Sequence, residues 1–189
     1  FRNYFVPMAD GSRGQAEHSQ INNLSEVSAA LENEPEGRYF KVQNGYVFAG
    51  ALEHLNQKLA AMSEAEIEEA KRLLRVGVHA DVAVTSSNWG RHAVTDPEQT
   101  VTQVFGSALS VAYNRNSNAE LWEPFARLVL DASYMATMAV AAETAARHGG
   151  AHGSNKVFLT LLGGGVFGGL IFRTVPPLTP LNRPNPNPK

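Results

Sequence analysis

Cysteine is absent from this chain of 189 residues. That excludes disulfides, thiolate metal sites and a cysteine nucleophile, and leaves the redox compartment undetermined. Long uninterrupted apolar runs are missing too. None approaches the roughly 18 residues of a membrane span, so no membrane partner is expected. Neither sign of charge prevails: 16 basic against 18 acidic residues give a net charge of −2, so no broad attraction to nucleic acid or an anionic surface is implied. No export signal is visible at the start, and a cytoplasmic location is the expectation. The chain opens at Phe1 rather than Met, which leaves a removed targeting segment open. What is present is a 43% hydrophobic content, enough for one core.

The pattern alternates strands with helices. Tyr4–Val6 reads as a strand, and Asp10-Gly11 as a turn in the loop that follows. Ser25 to Leu31 reads as a short helix capped by Ser25, ended before Pro35. Tyr39–Val42 and Tyr46–Ala49 flank Asn44-Gly45, the signature of a hairpin. Leu52, Leu55 and Leu59 mark a helix over 50–61. Ser63-Glu64-Ala65-Glu66 is a capping box, opening a helix to about Arg75. Val76 to Thr85 alternates, with Val76, Val78, Ala80, Val82 and Val84 on one face and His79 and Asp81 on the other. A polar loop over 86–99 leads to a β region, Thr100–Tyr113. The longest helix spans about Leu121–Arg147, with Pro124 in its first turn and Phe125, Leu128, Val129, Ala132, Met135, Ala136, Ala139 and Val140 facing inward. Val157–Leu162 has the length and composition of a buried strand. The β region, long helix and this strand form a β–α–β crossover. The fold class is therefore α/β, a mixed, partly parallel sheet flanked by helices. One domain spans 1–175. The tail, 176–189, carries Pro176, Pro177, Pro180, Pro184, Pro186 and Pro188 and should be extended.

Chemistry concentrates after the last strand. Gly163-Gly164-Gly165-Val166-Phe167-Gly168-Gly169 is costly in backbone entropy, so it needs a reason: positive φ, or close approach of backbone to something else. At a strand end, that something is often an anion held by main-chain N–H groups. The run is neither a P-loop nor a dinucleotide fingerprint, because no Gly-Lys-Ser/Thr and no helix pattern follow. The plain reading is a tight structural turn.

Leu-Leu-Gly-Gly-Gly-Val-Phe-Gly at 161–168 resembles the second phosphate loop of macro domains. The resemblance covers roughly residues 100–169. It implies a three-layer sandwich binding ADP-ribose or a related nucleotide diphosphate. Gly163, Gly164, Gly165, Val166, Phe167 and Gly168 would wrap the distal phosphate and ribose, with Phe167 beside the ribose. Ser107-Ala108-Leu109 and the long helix stand in the family's order, which adds Ser107 as a ligand contact. The family's Asn-rich first loop is not visible; Asn22-Asn23 and Asn44-Gly45 are its loose counterparts, and Asn23 is taken as a second contact. No glutamate follows Gly165, so the glycohydrolase pattern is not carried over and no catalytic residue is named. The chain also continues into Leu170–Arg173 and prolines where macro domains continue into a helix.

Other constellations weigh less. His79-x-Asp81 on one strand face could share a metal or a proton, but no third ligand follows from spacing. His148 and His152 flank a glycine linker and suit a helix C-terminus. Ser107, Ser110, His79, His92, Asp81 and Asp96 lack a nucleophile elbow. No cofactor and no metal is expected. The expected partner is an ADP-ribose-like nucleotide. The alternative is a non-catalytic interaction subunit whose tail, 176–189, docks on a partner protein.

Overall fold

The computed structural model describes residues 6–33, 37–151 and 153–163. The expected strand at Tyr4-Phe5, the turn at Pro35, His152, Gly164–Gly168 and the tail 176–189 lie outside these residues.

The described chain mixes helices with strands. α1 is Ser25–Ala30, β1 Phe40–Gln43, β2 Tyr46–Ala49, α2 Leu52–Ala61 and α3 Glu64–Arg72. β3 Gly77–Ala83, β4 Ser86–Ser87, β5 His92–Ala93 and β6 Thr100–Phe105 follow. The long helix, α4, is Glu123–Arg147, preceded by a 3-10 turn at Ala119–Trp122. The described strands form three two-stranded antiparallel sheets, β1–β2, β3–β6 and β4–β5.

Local chemistry explains the parts that match expectation. The β1–β2 turn places Asn44 at φ 51 and Gly45 at φ 77, the primed geometry whose twist suits a hairpin. At Ser63 both halves of the capping box form: the hydroxyl accepts from the Glu66 N–H, and the Glu66 carboxylate accepts from the Ser63 N–H at 2.7 Å. The Ser63 backbone and hydroxyl hydrogen bonds hold the Glu66 carboxyl below its ordinary value. Pro124 sits in the first turn of α4, where its missing N–H costs nothing. α1 corrects one detail. Ser25 is its first residue rather than its cap, and Asn22 Oδ1 accepts the Leu24 N–H at 3.0 Å instead.

The core gathers α1, the β1–β2 hairpin, α2 and the first half of α4, with Val27, Leu31, Phe40, Leu52, Leu55, Trp122 and Phe125 fully buried. Phe40 stacks on Phe125 with ring centroids 4.6 Å apart, which joins the hairpin to α4. α3 also packs on α4, where Lys71 reaches Glu68 at 2.8 Å and Asp131 at 3.5 Å. Glu68 first, then Asp131, raises the Lys71 ammonium above its ordinary value against the cost of burial.

The hairpin closes on Gly50, whose N–H donates to Tyr39 O at 2.8 Å. A methyl group there would lie 2.9 Å from both C and O of Tyr39 and 3.1 Å from Arg38 O, all of them main-chain atoms. Gly50→Ala is therefore expected to cost about 1–3 kcal/mol, because backbone rather than a side-chain tip must yield. Urea denaturation checks it; an unchanged midpoint would contradict the packing.

Five expectations change. Val157–Leu162 forms no ladder. Its recorded anchors are two bonds to one side chain: the Tyr134 hydroxyl donates to Thr160 O at 2.8 Å and accepts from Leu162 N at 3.2 Å. No described pairing is parallel. The Thr100–Tyr113 region stays extended only to Phe105, and Val111–Tyr113 is a 3-10 turn. The loop over 86–99 contains the small β4–β5 hairpin, which extends the β3–β6 ribbon into an arm. In β3, Asp81 adopts φ 52 and the pairing slips between His79 and Val82. That bulge breaks the two-residue period, so Val78 and Ala80 are exposed while His79 is half-buried.

The inward face expected for α4 is also only half right. Phe125, Leu128, Val129 and Ala132 are buried, whereas Met135 and Ala139 are exposed. The Ala119–Arg147 stretch, with a mean hydropathy of 1.3 over its most apolar window, is long and apolar enough to cross a membrane by length and composition. No uninterrupted apolar run marks it in the sequence, because Asp131, Ser133, Thr137 and Glu143 interrupt a helix rich in alanine.

Candidate functional site

Three chain segments meet over α4 to enclose a cleft of about 820 Å³. One wall is the loop from Gln15 to Leu24, another the β1–β2 turn from Asn44 to Val47, and the third the irregular stretch from Phe105 to Ser110. Val129 and Ser133 of α4 line its floor.

Each wall is held by side-chain bonds to backbone. Gln15 Oε1 accepts the Ile21 N–H at 2.9 Å, tying the first loop to itself. The Ser110 hydroxyl accepts from the Val47 N–H at 3.2 Å and donates to Val47 O at 3.1 Å. Asn114 adds bonds from Nδ2 to Val47 O and to Ser110 O, and accepts the Ala49 N–H at Oδ1, which ties the hairpin to the third wall. The Ser133 hydroxyl donates back to Val129 O at 2.8 Å within α4. Arg75 joins the first wall: its N–H donates to Asn23 O at 3.2 Å, and its guanidinium pairs with Glu26.

Asn23 and Ser107, singled out from sequence, both line this cleft. So do both loose counterparts of an Asn-rich loop, Asn22-Asn23 and Asn44-Gly45, although they are far apart in sequence. Ser107 is exposed, and its hydroxyl donates to Ala108 O at 2.9 Å. Gly163 has φ 73 and directly follows Leu162. A methyl group at Gly106, in the third wall, would come within 3.9 Å of Leu162 Cδ1 and 3.4 Å of Ser133 Cβ. The Leu162 side chain, one residue before the glycine run, thus stands near the third wall, although neither Leu162 nor Gly163 lines the cleft. Gly164, Gly165, Val166, Phe167 and Gly168 lie outside the described residues.

The lining groups are amides and hydroxyls from Gln15, Asn22, Asn23, Asn44, Ser107 and Ser110, over an apolar surface of Val42, Leu109 and Val129. Among the described lining residues, Arg75 is the cation, Glu17 the carboxylate, and histidine is missing. Such a set orients a polar ligand by hydrogen bonds. It offers little for proton transfer, which needs a titratable group in reach of the reacting atom.

The other sequence candidates lie elsewhere. His79 meets the edge of Phe105 with centroids 5.0 Å apart. Asp81, turned by the bulge, takes His148 Nε2 at 2.7 Å and Arg147 at 3.4 Å, which fastens the β3–β6 ribbon to the end of α4. The weaker option of one metal or proton shared by His79 and Asp81 is not favoured, because Asp81 is taken by His148 and Arg147. Among the described residues, no group of three or more His, Cys, Asp or Glu is placed to hold a metal ion. His92 sits in β5 and Asp96 accepts the Glu98 N–H, so neither accompanies Ser107 in the cleft.

Sequence reasoning missed Arg75 and Gln15 as cleft residues, and named Ser110 only among Ser, His and Asp groups without an elbow. Gln15 sits in a stretch without periodicity, where only tertiary contact reveals a role. No family model, curated protein or solved structure matches the chain.

Proposed function

We propose that the chain binds a nucleotide diphosphate of the ADP-ribose type in this cleft, with the glycine run from Gly163 to Gly168 supplying main-chain N–H groups to the phosphates. The observation that carries the reading is convergence: Asn23, Ser107 and Gly106 border one cavity, and the Leu162 side chain, next to Gly163, lies close to Gly106. Its volume of about 820 Å³ falls in the range of roughly 300–1,000 Å³ typical of small-molecule sites. The amide-rich walls suit ribose hydroxyls and an adenine edge, and a phosphate would compete with Glu26 for the Arg75 guanidinium. A macro-domain-like sandwich with a partly parallel sheet belongs to the same proposal. So does hydrolysis of an ADP-ribosyl bond, for which Glu17 is the carboxylate at hand among the described lining residues.

Calorimetric titration with ADP-ribose, ADP and AMP tests the reading. ADP-ribose is expected to release heat with one-to-one stoichiometry. Gly164→Val should abolish the heat while leaving a cooperative melt, and Asn23→Ala should weaken binding about tenfold, the worth of one good hydrogen bond. Silence with all three ligands would favour the non-catalytic interaction subunit.

A further inference from the structure

Trp89 is 98% exposed at the tip of the arm formed by β3–β6 and β4–β5. It occupies a turn whose backbone it does not suit. Gly90 N–H donates to Ser87 O, and the two residues between them, Asn88 and Trp89, have φ 47 and 58. A bulky residue in the left-handed region is an outlier; glycine is the usual occupant of that second turn position. The fold gains no burial from the indole in return. Strain held at an exposed aromatic points to a contact outside the chain. Arg91 lies two residues on, and between Thr85 and Thr95 there is no carboxylate, so the tip is an indole beside a positive charge. Trp and Arg are the residues that most often dominate protein interfaces.

The complementary surface is on the same chain. Beyond Ala132, the exposed positions of α4 fall on one stripe, with Met135, Met138, Ala139, Ala142, Glu143, Ala146 and Arg147, whose guanidinium is engaged by Asp81. Met138 is 51% exposed. Tyr134 lays the 157–162 segment along the helix, and there Phe158 is 89% exposed and Leu161 also projects to solvent. Methionine side chains adapt to an aromatic ring, and Glu143 places a carboxylate on the stripe.

We propose that this chain forms a reciprocal dimer in which the arm of each copy seats Trp89 on the Met135–Met138 face of the other, with Arg91 meeting Glu143. Two-fold exchange satisfies both copies at once and closes the assembly. The charge pattern selects this occupant. Asp81, Asp96 and Glu98 outnumber Arg91 over 77–105, which disfavours an arm that grips nucleic acid or anionic lipid. None of Trp89, Arg91, Met138 or Glu143 lines the cleft, so nucleotide titration and dimer formation fail independently.

Sedimentation velocity over a concentration series of the full chain tests it, with Trp89 fluorescence as a second signal, because Trp122 is fully buried. The wild type should shift from monomer to dimer mass with a blue shift in emission. Trp89→Ala should weaken association ~30-fold or more, as expected of a hot-spot truncation, with the melt unchanged. Met138→Glu and Arg91→Glu should each weaken it, and the double variant R91E/E143R should restore it. A wild type that stays monomeric, or a dimer indifferent to Trp89→Ala, overturns the proposal. So does a blue shift on vesicles of anionic phospholipid without any dimer, which would give the tip to a lipid surface instead.

Discussion

Trp122→Ala is expected to remove about 3–5 kcal/mol of stability, the usual cost of deleting a large buried aromatic. The side chain is 0% exposed and sits where the 3-10 turn hands over to α4. Its indole N–H donates to Ser117 Oγ at 2.8 Å, and Ser117 in turn donates to Asn114 O, the residue that ties the third cleft wall to the hairpin. The loss therefore combines a cavity with a broken polar link. Because a domain of this size holds on the order of 5–15 kcal/mol in all, the variant should melt far below the wild type or fail to fold. Trp122→Phe separates the two parts: it keeps most of the volume and discards the hydrogen bond, so its loss should be clearly smaller. Urea denaturation of both variants is the measurement. A loss under about 1 kcal/mol for Trp122→Ala would mean that the site collapses without penalty, against its place in the core.

Asn33→Ala should come next, at about 2–4 kcal/mol, although it removes little apolar area. Asn33 is 3% exposed and uses its whole amide. Oδ1 accepts from Tyr39 N at 2.7 Å and Phe40 N at 3.2 Å, while Nδ2 donates to Ser28 Oγ and to Phe40 O, both at 2.9 Å. Alanine leaves those groups buried and unpaired, and each orphan costs roughly 1–3 kcal/mol. The amide is thus the joint between α1 and β1, and Gly50 clamps the far end of the same hairpin. Hydrogen exchange supplies an independent readout. The Tyr39 and Phe40 amides should lose protection in the variant before the rest of the core does. Retained protection at both would show that water or another donor replaces the side chain.

Much of the local structure was legible in the residues themselves. The capping box at Ser63, the Asn44-Gly45 hairpin and Pro124 are short-range devices, with partners within four residues, so a sequence window contains the whole mechanism. The cleft was only partly legible. Asn23, Ser107 and Asn44-Gly45 were noticed singly, by resemblance, and nothing in their spacing said they would face one another. The His79–Asp81 pairing failed because one bulge, at Asp81, rotates the strand, and a bulge leaves no mark in the alternation it breaks. The Val157–Leu162 strand failed for a related reason. A short apolar run records a wish to be covered but not by what, and here a single hydroxyl, that of Tyr134, is its recorded anchor.

By itself the sequence determined the presence of the helices, the Ser63 cap, the first hairpin and the exclusion of thiol chemistry, since these depend on composition or on neighbours along the chain. Tertiary structure alone decided that Asn33 would be a buried hub, that Asp81 would turn to His148, that the apolar face of α4 would be covered only in its first half, and that three polar loops would border one cleft. Those outcomes depend on which groups meet across long separations. The balance between burying apolar surface and satisfying every polar atom is struck only when the elements are packed together.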